Sequence, residues 1–136
     1  MGFFIVSWVI LIFILTCTNN VYQTLIGEFD FVITPRPYRE TDFFTFISTV
    51  SEISKLEFVG HFILFFILSG LLIIACKRIV GPVVIAFLIG ITIEFFQPYF
   101  GRGADFYDVL ANGLGIFLCV VLYGMVRLWN RPLPFK

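Results

Sequence analysis

Charge is scarce in this chain, and it carries no net sign: nine Lys and Arg offset nine Asp and Glu over 136 residues, with a single histidine. So sparse and balanced a set excludes the basic field that would attract nucleic acid. Cysteine is scarcer still. Cys17, Cys76 and Cys119 lie within or at the ends of apolar runs and lack paired spacing, so they read as packing residues and form neither a disulfide framework nor a metal site. Gly-x-Ser-x-Gly, a Walker loop and His-Glu-x-x-His are all missing, so hydrolase, NTPase and zincin assignments have no local support. No internal repeat or low-complexity segment is visible.

Apolar residues are abundant. The chain is 60% hydrophobic, contains 19 phenylalanines and has a mean hydropathy of +1.01. One domain of this length cannot hide so much apolar surface from water, which makes the chain an integral membrane protein. A helix needs about 20 apolar residues to cross a bilayer core. Four segments approach or meet that length, at 3–18, 58–76, 79–97 and 106–128. The predicted fold is therefore all-α, a single polytopic domain of four transmembrane helices. The first segment has neither a basic leading region nor a small-residue cleavage site, and is read as an uncleaved span.

Basic residues set the orientation. With the N-terminus cytoplasmic, the inner side holds Lys77, Arg78, Arg127, Arg131 and Lys136 and no acidic residue. All nine acidic residues then fall on the outer side with Arg36, Arg39, Lys55 and Arg102. Both termini are predicted to be cytoplasmic and the long connection, residues 19–57, extracytoplasmic. Within it, Pro35 and Pro37 oppose helix. Phe43, Phe46, Ile47, Val50 and Ile53 then recur at helical spacing, predicting a short interfacial helix. Lys77-Arg78 makes the short turn between the second and third helices, with Pro82 in the first turn of the third.

Against this apolar background, EFFQPYFGRGADFYDVLANGLG at 94–115 stands out. A charged group facing hydrocarbon costs roughly 2.5 to 3.5 kcal/mol even on lenient scales, so such residues normally face a protein interior and mark a working site. Glu94 and Gln97 are three apart at the outer end of the third helix and share a face. Asp105, Asp108 and Asn112 share another at the start of the fourth. Gly101 and Gly103 flank Arg102 and would let the backbone turn its guanidinium back between the helices. His61 lies in the first turn of the second helix, at the same outer end. The seven are predicted to converge on one outward-facing pocket.

Each residue also has a plainer role open to it. Asp105 can cap a helix, Arg102 can stiffen a turn, and Gln97 can sit among headgroups. Asn112 can be interhelical glue beside the small pair Ala111 and Gly115, and His61 an interfacial residue. Glu94, between Ile93 and Phe95, is harder to explain so. A divalent cation on Glu94, Asp105 and Asp108 with His61 nearby is chemically possible, but one histidine and scattered oxygens define no metal geometry. No metal or cofactor is assigned from sequence.

GHFILFF, then E-x-x-Q and R-x-x-D-x-x-D-x-x-x-N-x-x-G, resembles the VanZ-like family of small bacterial membrane proteins, named for an accessory protein of teicoplanin resistance. The resemblance covers residues 55–122 and places the family's motif on His61, Phe62, Glu94, Gln97, Arg102, Asp105, Asp108, Asn112 and Gly115. Many members carry Asp-Lys-x-x-His before the second helix, where this chain has Glu57-Phe58-Val59-Gly60-His61 and no lysine at that spacing. It implies a multi-pass protein of the bacterial cell membrane, linked in some members to lower glycopeptide susceptibility. Two functions stay open. One is a binding protein for a membrane lipid, or a lipid-linked or peptidoglycan-related ligand. The other is an intramembrane enzyme on a lipid headgroup, with Glu94 or His61 as general base and Arg102 stabilising negative charge. The first is preferred because no activated nucleophile is evident.

Overall fold

A computed structural model describes residues 1–18, 26–27, 33, 52–100, 102 and 105–130. Four α-helices lie in these residues: α1 Gly2–Cys17, α2 Glu52–Cys76, α3 Val80–Phe96 and α4 Phe106–Trp129, with a 3-10 turn Gln97–Tyr99 extending α3. Three are long and apolar enough to cross a membrane, over Lys55–Cys76, Val80–Tyr99 and Phe106–Trp129. By length α1 falls short: its 16 residues rise about 24 Å, against a hydrocarbon core of about 30 Å.

α2 starts at Glu52, inside the segment read from sequence as a connection ending at 57. Glu52, Lys55 and Glu57 gave that stretch its loop-like polarity, yet Lys, Leu and Glu are strong helix formers and no proline interrupts them. The residues from 43 to 51, which carry most of the predicted interfacial helix, lie outside the described residues. Lys77 closes α2 with φ 53, and its N–H bonds the Ile73 carbonyl at 2.9 Å. Glycine normally fills such a left-handed position, since a Cβ there costs about 1 kcal/mol. Pro82 is buried in the first turn of α3, as expected where its missing N–H removes no helical bond.

The most extensive helix pairing is α2 with α4. Gly115 makes it possible: a Cβ there would collide with the Phe62 carbonyl oxygen and come within 3.0 Å of the Phe66 nitrogen. α1 is fastened to α2 by the Trp8 indole N–H, which donates to the Leu64 carbonyl at 3.0 Å. The core, including Ile12, Leu64, Phe65, Leu68, Ala86 and Ile116, runs through all four helices. Outward-facing side chains are mostly large and apolar, among them Phe3, Phe4, Val80, Phe95, Phe117 and Met125. Inside sit His61, Glu94, Gln97, Asp108 and Asn112. Polar groups within an apolar exterior invert the soluble pattern and suit a bilayer.

Candidate functional site

The start of α2, the end of α3 and the start of α4 meet at one end of the bundle, where the antiparallel connections bring them. Helical rise places His61 about 9 Å below Lys55, Glu94 about 7.5 Å below Tyr99 and Asn112 about 9 Å below Phe106. The three therefore lie at similar depth, one to two turns inside the bundle. His61 is at the centre. Its Nδ1–H donates to Oδ1 of Asn112 at 3.0 Å, which joins α2 to α4. Oε1 of Glu94 is 3.6 Å from the same nitrogen, and Oδ2 of Asp108 is 3.5 Å from Nε2. Asn112 also lies against α3, its Nδ2 being 3.3 Å from where a Cβ on Gly90 would stand.

Arg102 comes from the link before α4 and is 9% exposed. Its Nη2 approaches Glu57 Oε1 at 3.3 Å and Asp108 Oδ2 at 3.8 Å, and its backbone N–H bonds the Gln97 carbonyl at 3.2 Å. The flanking Gly101 and Gly103, expected to turn the backbone, lie outside the described residues. Burying a guanidinium is tolerable when carboxylates neutralise it and accept its hydrogens. Arg102 has such partners on α2 and α4.

Asp105 takes the plainer of its two roles. It is the N-cap of α4, and its Oδ1 accepts the Tyr107 N–H at 2.9 Å. His61 meets Glu94, Asp108 and Asn112 directly, and Arg102 joins them through Asp108. Gln97 is fully buried on the 3-10 turn, and neither of its amide atoms has a hydrogen-bond partner among the described residues. Both Glu94 oxygens, Nε2 of His61 and Nδ2 of Asn112 likewise lack one. Groups this deep normally find partners, since leaving one unsatisfied costs about 1–3 kcal/mol. Four residues of the cluster, His61, Glu94, Gln97 and Asn112, keep unused polar capacity among the described residues.

Glu57 is absent from the sequence-derived set although it pairs with Arg102. The signal was available: Glu57 stands four residues before His61, on the same helical face. A cavity of about 220 Å³ opens beside the cluster, between Leu15 and Thr16 of α1 and Leu56, Gly60 and Leu64 of α2. Glu57, His61 and Arg102 form its polar wall. The three cysteines are free thiols, with Cys17 and Cys119 buried and Cys76 exposed.

No curated protein and no solved structure matches this chain. A sequence model of the VanZ/LLP1 family does match, across residues 1–127. That range reaches well beyond the segment carrying the motif and takes in all of α1, α2 and α3 and most of α4. Apolar helices around a polar cluster at the motif positions thus accompany a match over nearly the whole chain, and the chain belongs to the VanZ/LLP1 family of membrane proteins.

Proposed function

We propose that this chain is a multi-pass protein of the bacterial cell membrane whose polar cluster, open to the extracytoplasmic side, binds a lipid-linked or cell-wall-related amphiphile. One observation carries the reading: a mostly aliphatic cavity of about 220 Å³ ends on Glu57, His61 and Arg102. At that volume it is smaller than the roughly 300–1,000 Å³ of pockets that enclose drug-sized ligands. It suits part of an amphiphile, with chain along α1 and α2 and an anionic head at the guanidinium. Both ion-pair contacts of Arg102 among the described residues run through Nη2. Five N–H donors in a planar fork leave others for a phosphate or carboxylate. Holding or shielding such a ligand would lower glycopeptide susceptibility by changing what the antibiotic reaches.

The outward direction rests on charge. Five basic and no acidic residues fall on the side of the α2–α3 turn and the C-terminus, which the positive-inside rule assigns to the cytoplasm. All four helices would cross, α1 by tilting little or drawing the bilayer in.

The second reading, an intramembrane enzyme acting on a lipid headgroup, draws on the carboxylates at 3.6 and 3.5 Å from the two nitrogens of His61. An imidazole so placed could accept a proton as general base, and Arg102 could meet developing negative charge. Profiling lipids and cell-wall precursors in cells with the intact protein, without it, and with Arg102→Ala separates the two. Binding predicts altered glycopeptide susceptibility with unchanged lipid chemistry. A new lipid or precursor species that requires the intact protein would establish the enzyme, and no difference among the three strains would contradict both.

A further inference from the structure

One nitrogen of His61, one oxygen of Glu94 and one of Asp108 lie within 4.8 Å of one another, and all three side chains are buried. They come from three different helices, α2, α3 and α4. The geometry points to a divalent transition-metal cation bound by these three residues at the centre of the bundle end. The site shares a wall with the amphiphile pocket but needs no lipid, so it goes beyond the function proposed above.

Four features favour it. First, Nδ1–H of His61 is committed to Asn112 at 3.0 Å, which fixes the tautomer and leaves the Nε2 lone pair directed away from it. Metal-ligating histidines are commonly oriented in this way, through the second ring nitrogen. Second, Nε2 has no hydrogen-bond partner among the described residues and is 3.5 Å from Asp108 Oδ2. Two ligands each about 2.1 Å from a tetrahedral cation stand roughly 3.4 Å apart. Glu94 Oε1 lies 3.6 Å from the other ring nitrogen, Nδ1, so ligation at Nε2 asks the Glu94 side chain to turn about its own torsions.

Third, Glu94 is 4% exposed, and neither of its oxygens is hydrogen bonded among the described residues. A carboxylate held that deep, approached by the Asp105 backbone N–H and by His61 Nδ1 at 3.6 Å, keeps lone pairs for ligation. Fourth, Glu57 and Asp108 pair with Arg102, and Glu94 and Asp108 flank His61, so among the described residues the ionised cluster holds three carboxylates against one guanidinium and a dication offsets the excess. One imidazole with two carboxylates suits zinc or manganese; calcium and magnesium favour all-oxygen shells.

The test uses the full-length protein in detergent, chelator-stripped, with Zn²⁺ as the probe and no added lipid. Isothermal titration should give about one site per chain, and Zn²⁺ should raise the apparent melting temperature. His61→Gln and Glu94→Gln should each weaken binding at least tenfold. Cys76→Ser removes an exposed thiol outside the cluster and should bind as wild type does; loss of binding there would assign the Zn²⁺ to the thiol and overturn the site. A monodisperse elution profile for every variant separates lost ligation from lost folding. If stripped wild type takes up no stoichiometric Zn²⁺, or His61→Gln and Glu94→Gln bind it as well as wild type, the site does not exist. In that case the amphiphile pocket stands untouched, because its own test requires no metal.

Discussion

Arg102 decides the character of the site. It is the cation that touches both Glu57 and Asp108, and it forms part of the cavity wall. Lysine would keep the charge but present a compact ammonium in place of a planar fork. If Arg102 must serve two carboxylates and a ligand together, Arg102→Lys should lose nearly as much of the glycopeptide phenotype as Arg102→Ala, at equal membrane abundance. Full activity in both variants would make Arg102 a turn-stiffening residue. His61, Glu94, Asp108 and Asn112 were legible as a cluster because bilayer physics penalises each singly, leaving mutual contact as the economical arrangement. Glu57 is marked in the sequence only by its place four residues before His61, and a glutamate near a helix start has an ordinary solvated alternative. Its pairing with Arg102 is seen only in space.

Among the helices, α2 and α4 form the frame that holds this geometry. Their contact is set by Gly115, where a Cβ would meet the backbone of Phe62 and Phe66, and by Ala111, fully buried in the same stripe. Backbone cannot yield as a flexible side chain would. Gly115→Val should therefore force the helices apart, costing about 1–3 kcal/mol or more by overpacking. Because Asn112 is three residues away, the shift should also lengthen its hydrogen bond to His61. The check is thermal unfolding in detergent beside Gly113→Val, where an added Cβ meets nothing within 4 Å; equal stability of the two variants would refute the close-approach account. Sequence indicated this packing through the small pair and placed α3 and α4 nearly to the residue. Hydropathy stays high along the whole of those segments and their ends carry proline, glycine or a capping aspartate. The start of α2 was placed late because polar helix formers resemble a loop when only hydropathy is weighed.

At the scale of the whole molecule, an apolar exterior encloses polar groups gathered at one end, and function depends on which side of the membrane that end faces. The charge asymmetry predicts that a cysteine at Ser51 is labelled by an impermeant reagent on intact cells, whereas one at Asn130 reacts only after permeabilisation. Labelling of position 130 from outside would reverse the orientation. Membership of the VanZ/LLP1 family fits this design but does not identify what occupies the pocket. Native mass spectrometry of the protein released gently from its own membranes addresses the claim most directly. Wild type should carry an anionic lipid or lipid-linked precursor enriched over bulk membrane, and Arg102→Ala, folded and equally abundant, should have lost it. Identical lipid profiles for the two proteins would contradict the binding-pocket account.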